Sequence, residues 1–308
     1  MAFTAKDVMS LKERTGCGMM ACKEALTAAD GDVDKAIEIL REKGLAQQAK
    51  KSGRVAAEGL SYAAYDADKK VGAVVEVNIE TDFAAQNENF IKLVHDIADT
   101  VIACNPADVE ALKACTLAGS DVTVEAAVQE LFLALRENMQ IRRFARYEGN
   151  LVTYVHGGGR IAVLVKFDVD DATATKDEFQ LYAKDVAMQI AAMNPGYLSS
   201  ETVPADVIEK EKEVLMAQIA NDPKNASKPP VVIEKMVTGR IGKFYKENCL
   251  LQQAFVKDDN IDVATYTENT AKELGASIQV VDYVRFEKGE GIQKKEDNFA
   301  EEVASMIK

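Results

Sequence analysis

Two stretches of the chain repeat one another, and this repeat decides the fold class that the sequence predicts. Residues 71–106 read VGAVVEVNIETDFAAQNENFIKLVHDIADTVIACNP, and residues 160–195 read RIAVLVKFDVDDATATKDEFQLYAKDVAMQIAAMNP. The stretches align without a gap, and each reads as an apolar strand, an acidic turn, an amphipathic helix and an Asn-Pro stop. We therefore predict an α+β protein whose core consists of two related subdomains, each a sheet with helices on one face.

The two copies differ in the acidic turn that follows the strand. The first copy places Phe83 in this turn, and the second copy has Ala172 at the corresponding position. If a large side chain were needed here to close the core, the second copy would be expected to keep one. The comparison therefore favours a Phe83 that is exposed for a partner over a Phe83 that is the last core residue of the strand.

The first 54 residues have the pattern of a small helical domain. Thr4 with Asp7 three residues later resembles a capping box at the start of the first helix. TGCG at 15–18 separates the first helix from the second, and Gly44 is expected to end the third. A helical tail followed by a flexible linker is expected over 45–59. The sequence thus predicts a three-helix bundle over 1–54.

Two adjacent methionines begin the second predicted helix. Met19 and Met20 cannot both face the same core, so one of them is expected to point outward. An exposed methionine is adaptable and suits a partner surface. The alternative, that it covers the TGCG turn, is equally compatible with the sequence.

The rest of the chain divides into further predicted units. The first core subdomain is expected at 55–150, and the second is expected to be split between 151–205 and 248–290. The stretch between the two parts, 206–247, has two apolar helical stripes around a proline-rich tip and predicts an antiparallel coiled-coil hairpin. A last amphipathic helix is expected in 291–308.

Three elements are predicted within the later part of the second subdomain. The stretches 249–256 and 277–287 are strand-like, and a helix is expected between them near Val263 to Leu274.

Composition and charge argue for a soluble protein that does not bind nucleic acid. The chain has 308 residues and a net charge of −13, whereas nucleic-acid binders present basic patches that neutralise phosphates. The densest basic segment, KKSGR at 50–54, is better explained as a solvated linker than as an RNA contact. No apolar run reaches the length of about 20 residues that spans a bilayer.

The termini and cysteines indicate a cytoplasmic location. The first residues lack the basic start and apolar centre of a signal peptide. Five scattered cysteines are an odd number, which argues against a disulfide framework and fits a reducing compartment. No second cysteine pair or histidine stands near Cys17 and Cys22, so we expect no metal site there.

Catalytic motifs are missing from the sequence. There is no nucleophile elbow, phosphate-binding glycine loop, dinucleotide fingerprint or zinc-protease motif, and His95 and His156 are the only histidines. One enzyme hypothesis remains, in which Asp82 and Asp171 act as paired carboxylates. Nothing in the sequence indicates that they converge, so binding is the better interpretation.

Four stretches resemble the elongation factor Ts family, in the family's order and over essentially the whole chain. They are LKERTGCGMMACKEAL at 11–26, EVNIETDFAAQ at 76–86, YVHGGGRIAVLV at 154–165 and RFEKGEGI at 285–292. Several independent motifs in one order are more specific than the Thr-Asp-Phe triplet alone. The chain departs from the family in having a lysine at position 12, where arginine is common, and a longer glycine run after His156.

The resemblance implies an exchange factor for the GTPase elongation factor Tu, without a cofactor, a metal or covalent chemistry of its own. It implies a ubiquitin-associated-type N-terminal bundle that docks on the GTPase domain, and a loop that disturbs the partner's magnesium site. The loop residues are Thr81, Asp82, Phe83 and Ala84. The other partner-binding residues implied are Lys12, Arg14, Gly18, Met19, Met20, Leu135 and His156, with a further contact from the C-terminal helix. A general protein-interaction adaptor is the alternative, but it gives the repeat and the loop no role.

Overall fold

The computed structural model describes residues 3–222 and 228–293. Its mixture of helices and sheets agrees with the α+β class. The helices are α1 Ala5–Thr15, α2 Met19–Ala28, α3 Val33–Lys51, α4 Asp82–Ala85, α5 Glu88–Cys104, α6 Val109–Ala114, α7 Val124–Leu135, α8 Asp171–Ala174, α9 Asp177–Met193, α10 Ala205–Asn221, α11 Pro230–Asn248 and α12 Val263–Leu274. The strands are β1 Glu58–Asp66, β2 Val71–Ile79, β3 Met139–Glu148, β4 Asn150–His156, β5 Ile161–Asp168, β6 Ala254–Phe255, β7 Asp258–Asp262 and β8 Gln279–Glu287.

The repeat in the sequence recurs in the secondary structure. β2, α4 and α5 of the first copy correspond without a gap to β5, α8 and α9 of the second. The long helix of each copy ends at an asparagine in the left-handed conformation, Asn105 with φ 47° and Asn194 with φ 45°. Asparagine tolerates this conformation better than most residues, and proline follows it in both copies. The Asn-Pro stops therefore end both helices in the same way.

Two antiparallel sheets lie face to face between the helices. β1, β2 and β3 pair in that order, and so do β4, β5 and β8. One face of β2 packs on α5, one face of β5 packs on α9, and the opposite faces meet through Val74, Leu151, Leu164 and Phe286. Every residue of β2 is buried. Burial on both faces explains why this strand is almost continuously apolar instead of alternating.

The helical N-terminal part packs on α7. α1, α2 and α3 enclose a core that includes Leu11, Cys22 and Leu26. The predicted end of the third helix at Gly44 is wrong, because α3 continues to Lys51. A Cβ atom at position 44 would lie 2.0 Å from a side-chain methyl of Leu133 on α7. The glycine therefore permits close contact between two helices rather than marking a helix end.

The predicted helical hairpin is present as two helices that pack on one another. α10 and α11 bury Leu215, Ile219, Val237 and Ile241 between them. Residues 223–227 of the predicted tip lie outside the described residues. The predicted strand at 249–256 is largely wrong, because only Ala254–Phe255 forms a strand, after a 3₁₀ turn.

Buried amides explain the short strand β6. The Gln253 side chain donates to the carbonyl of Glu247 at 2.9 Å and accepts from the amide of Gln189 at 3.1 Å. These bonds fold the segment back on the end of α11 and on α9. In contrast, α12 has the predicted bounds, and β8 lies within the predicted strand. The predicted last helix, NFAEEVASMIK at 298–308, lies outside the described residues.

Candidate functional site

The Thr-Asp-Phe loop is a single helical turn that presents an aromatic ring to solvent. Thr81 is the N-cap of α4, and its hydroxyl accepts a hydrogen bond from the amide of Ala84 at 3.2 Å. Asp82 accepts from the amide of Phe83 at 2.9 Å. The Phe83 side chain is 85% exposed, whereas Ala84 beside it is buried. The expected exposure of Phe83 is confirmed, and the capped turn holds its backbone in place.

Two carboxylates hold the start of this loop, and neither is among the residues predicted from the sequence. Glu137 accepts hydrogen bonds from the Thr81 amide at 3.0 Å and from the Thr81 hydroxyl at 2.7 Å. Glu80 accepts from the amide of Asn138 at 2.7 Å and from Arg54 at 3.3 Å. The partners are distant in sequence and meet because β2 ends where β3 begins. The position of both glutamates beside strand ends was the available signal.

The paired-carboxylate hypothesis is wrong. Asp171 accepts hydrogen bonds from Lys70 and from Asn150, and the bond from Lys70 holds the pKa of its carboxyl below the usual value. Lys70 precedes β2, whereas Asp82 follows its other end. A nine-residue strand spans roughly 25 Å. The two aspartates therefore lie at opposite ends of the first sheet.

A groove connects the Thr-Asp-Phe loop with the glycine turn that follows His156. The groove has a volume of about 680 Å³ and is lined on one side by Asp82 and on the other by 157–159. His156 ends β4 and is exposed, and its Nδ1 lies 2.9 Å from the hydroxyl of Tyr154. The structure thus brings two of the family-like motifs to one surface feature.

Two stacked rings line this groove. The rings of His95 and Tyr62 are stacked, with their centroids 3.8 Å apart and an angle of 22° between their planes. Burial lowers the pKa of His95, although Asp99 and Asp96 oppose the shift. His95 therefore lies on the surface of α5 with its ring packed on Tyr62.

This stack leads to a prediction about stability in acid. As pH falls, the unfolded chain binds the His95 proton first, at a pKa of about 6.5, so stability that is present above this pH is lost as pH decreases further. Replacing His95 with phenylalanine keeps the stack and removes the proton. We expect His95→Phe to lose less thermal stability than the wild type between about pH 7.5 and about pH 5.5. An equal loss in both proteins would contradict this role.

Both methionines at the start of α2 are exposed, Met19 by 47% and Met20 by 65%. The expectation that only one of them points outward is wrong. Both lie in the first helical turn after the N-cap Gly18, and the bundle core is already filled by residues such as Cys22 and Leu26. The result is an apolar, adaptable surface next to the TGCG turn.

Two basic side chains precede the TGCG turn in the sequence. Lys12 and Arg14 lie in the last turn of α1, and both are exposed. Arg14 approaches Asp34 at 3.8 Å, but both side chains remain largely in solvent. Such an exposed pair contributes little to stability, so Arg14 remains accessible to a partner.

The end of α7 lies against the TGCG turn. A Cβ atom on Gly16 would be 3.0 Å from the Cβ of Ala134. Leu135, the next residue, is half-buried and packs on the core between β2 and α5, and Glu137 follows two residues later. The N-terminal turn, the end of α7 and the Thr-Asp-Phe loop are thus connected by direct contacts.

A comparison with known protein families matches this chain to the family described as Elongation factor TS, over residues 80–290. The chain belongs to the elongation factor Ts family. The matched region includes the Thr-Asp-Phe loop, Leu135 and His156. It begins after the N-terminal bundle, so the support for residues 1–79 comes from the relatives described next.

Relatives that are named elongation factor Ts extend the similarity to nearly the full length. The protein of Clostridium botulinum (strain Eklund 17B / Type B) is 49% identical over 307 residues, which cover 99% of both chains. That of Clostridium perfringens (strain ATCC 13124) is 50% identical over 306 residues and 98% of both chains. The Clostridium kluyveri (strain ATCC 8527) protein is 48% identical over 308 residues, covering 99% of this chain and 98% of its own.

Two further features of this elongation factor Ts family member concern metals and membranes. Among the described residues, no group of three or more histidine, cysteine, aspartate or glutamate side chains is arranged to hold a metal ion. The five cysteines are free thiols. Over 3–222 and 228–293, no helix combines the length and the apolar character that crossing a membrane requires.

Proposed function

We propose that this protein is a guanine-nucleotide exchange factor that binds elongation factor Tu carrying GDP and promotes release of the GDP. One observation carries the proposal. Phe83 is 85% exposed at the tip of a capped turn, although the repeated copy folds the same turn with Ala172. An aromatic ring that the fold does not need, held out on a fixed backbone, has the properties of an anchor residue for a partner.

The proposed mechanism acts on the partner's magnesium ion. Thr81 and Ala84 hold the turn, while Asp82 and Phe83 enter the GTPase domain beside the magnesium and phosphate site. Magnesium requires nearly ideal octahedral coordination, so a small displacement of its ligands is costly. GDP then loses part of its electrostatic support and leaves. The exchange factor needs neither a cofactor nor a covalent step for this action.

The remaining site residues are proposed to dock the two proteins. The exposed pair Met19 and Met20 offers an apolar contact that begins at Gly18, and the exposed Lys12 and Arg14 in the last turn of α1 add charged contacts. A second contact comes from Leu135 at the end of α7, and a third comes from His156 across the groove from the loop. These contacts place the loop against the GTPase domain.

Thermodynamic linkage restricts how such a protein works. Whatever factor it removes from the affinity for GDP, GDP removes from the affinity for the exchange factor. The protein must therefore bind empty elongation factor Tu tightly and the loaded form loosely. Entry of GTP then displaces it and completes the exchange.

Release of a fluorescent GDP from elongation factor Tu tests this proposal. We expect the wild-type chain to accelerate the release at substoichiometric amounts, because each molecule acts repeatedly. The control is an equal amount of the protein after heat denaturation. Unchanged release in the presence of folded protein would refute the exchange function and favour the adaptor hypothesis.

A further inference from the structure

We propose that Glu137 is a positioning residue for exchange, which holds the Thr-Asp-Phe loop in the conformation that inserts Phe83 into the partner. This inference rests on the proposed function and assigns a role to a residue outside the loop. Glu137 accepts two hydrogen bonds from Thr81, one from the backbone amide at 3.0 Å and one from the hydroxyl at 2.7 Å. Bonds to a charged acceptor are stronger than neutral ones.

The two hydrogen bonds from Thr81 to Glu137, called the clamp below, act on the residue that organises the turn. The Thr81 hydroxyl donates to Glu137 and at the same time accepts from the amide of Ala84 at 3.2 Å. The direction of the hydroxyl hydrogen is thereby fixed, and its lone pairs point toward the first turn of α4. Phe83 lies between Thr81 and Ala84 in the sequence, so its backbone has little freedom before a partner binds.

Glu137 is itself held from both sides. The carbonyl of its neighbour Arg136 accepts a hydrogen bond from Lys51 at the end of α3. Its other neighbour, Asn138, is buried, and the side-chain amide donates to the carbonyls of Ser52 at 3.3 Å and Arg54 at 2.8 Å. The clamp is therefore anchored to the segment that connects the N-terminal bundle with β1. Docking through the bundle and insertion of Phe83 are linked by this turn.

The second copy of the repeat shows that the clamp is not required by the fold. Its counterpart of Thr81 is Asp170, which caps α8 by accepting from the amide of Thr173 at 2.9 Å. An ionised aspartate has no hydrogen to donate to an opposing carboxylate. The hydroxyl donor thus occurs in the copy that carries Phe83, and the copy with Ala172 lacks it.

Preorganisation predicts which kinetic quantity changes. If the hydrogen bonds between Thr81 and Glu137 are lost, the docking contacts of the bundle remain, but fewer encounters place Phe83 correctly in the partner. We expect Glu137→Ala to lower the maximal rate of GDP release about fivefold at saturating exchange factor, with little change in the half-saturating concentration. Glu137→Gln keeps one acceptor oxygen, so its maximal rate of GDP release should lie between those of the wild type and Glu137→Ala. A protein that is merely partly unfolded would reach the wild-type maximal rate at a higher total concentration.

A double-mutant comparison separates positioning from direct contact. If Glu137 acts through Phe83, then Glu137→Ala should have no additional effect on a protein that already carries Phe83→Ala. A full fivefold loss in that background would mean that Glu137 touches the partner itself and would overturn the proposal. The matched control is Glu110→Ala, which removes an exposed carboxylate that pairs with Lys113 on α6.

A measurement without elongation factor Tu keeps this inference distinct from the exchange function. In hydrogen exchange by mass spectrometry, Glu137→Ala should lose protection in the peptide that covers 81–86, while α9 retains wild-type protection. If the wild type fails to promote GDP release but this local change occurs, the clamp exists and the proposed function is wrong. Unchanged protection in 81–86 would refute the clamp, whatever the exchange assay shows.

Discussion

Replacing Phe83 with alanine is expected to slow GDP release from elongation factor Tu by about thirtyfold. A buried aromatic anchor at an interface contributes about 2 kcal/mol or more, and every 1.4 kcal/mol corresponds to roughly a factor of ten. The stability of the free protein should not change, because the ring is 85% exposed and the turn is held by backbone contacts and by Thr81. The thermal midpoint of Phe83→Ala should equal that of the wild type.

A matched control separates this role from a general loss of apolar surface. Leu181 on α9 is 61% exposed and belongs to the second copy, away from the loop. Leu181→Ala should therefore promote GDP release from elongation factor Tu at the wild-type rate. A lower melting temperature of Phe83→Ala would show that the ring supports the fold. If Phe83→Ala promotes GDP release from elongation factor Tu as fast as the wild type does, Phe83 is not needed for the mechanism, although the exchange function stands.

The features that the sequence predicted well are those with local or repeated signals. The repeat was visible because strand, turn and helix boundaries correspond without a gap. The cap at Thr4 was readable because both halves of its capping box lie within three residues. The exposure of Phe83 followed from one comparison with Ala172. In each case the deciding physics acts over a few residues or is displayed twice.

The errors occurred where distant contacts decided the outcome. Gly44 carries the same signal whether it ends a helix or allows a second helix to approach, and only the position of Leu133 distinguishes them. The apolar run 249–256 has the pattern of a strand, but the hydrogen bond between the buried side-chain amides of Gln189 and Gln253 folds it back. Glu137 was missed because its partner Thr81 is 56 positions away, and its place beside a strand end was the one local signal.

Glu76 is another residue whose role depends on distant partners. It lies in the middle of β2 and is fully buried, and its carboxylate accepts hydrogen bonds from two other segments of the chain. Arg142 donates at 2.9 Å and Arg143 at 2.6 Å from β3, and the amide of Gly289 donates at 2.8 Å from the turn after β8. The guanidinium of Arg143 also stacks 4.3 Å from the ring centre of Phe286. One carboxylate therefore connects the first sheet with the end of the second.

Glu76→Ala is expected to lower the free energy of unfolding by about 3 kcal/mol, because the buried donors that face its carboxylate, from Arg142, Arg143 and Gly289, lose their charged acceptor. Arg142 and Arg143 keep 29% and 32% of their side chains exposed, so water limits the cost to the lower part of the range that such pairs show. Urea unfolding measures the change. Glu268→Ala provides the control, since its pair with Lys272 is exposed on α12 and should contribute less than about 0.5 kcal/mol.

The size of the Glu76 effect also decides how the two sheets are joined. If the apolar interface around Leu164 and Phe286 were sufficient, Glu76→Ala would cost no more than its control, and the network would be a by-product of packing. A loss near 3 kcal/mol would instead mean that the sheets depend on a charge. Glu76→Gln distinguishes shape from charge, because its amide nitrogen would face the Nε of Arg143, donor against donor. We therefore expect glutamine, although nearly isosteric, to be almost as destabilising as alanine.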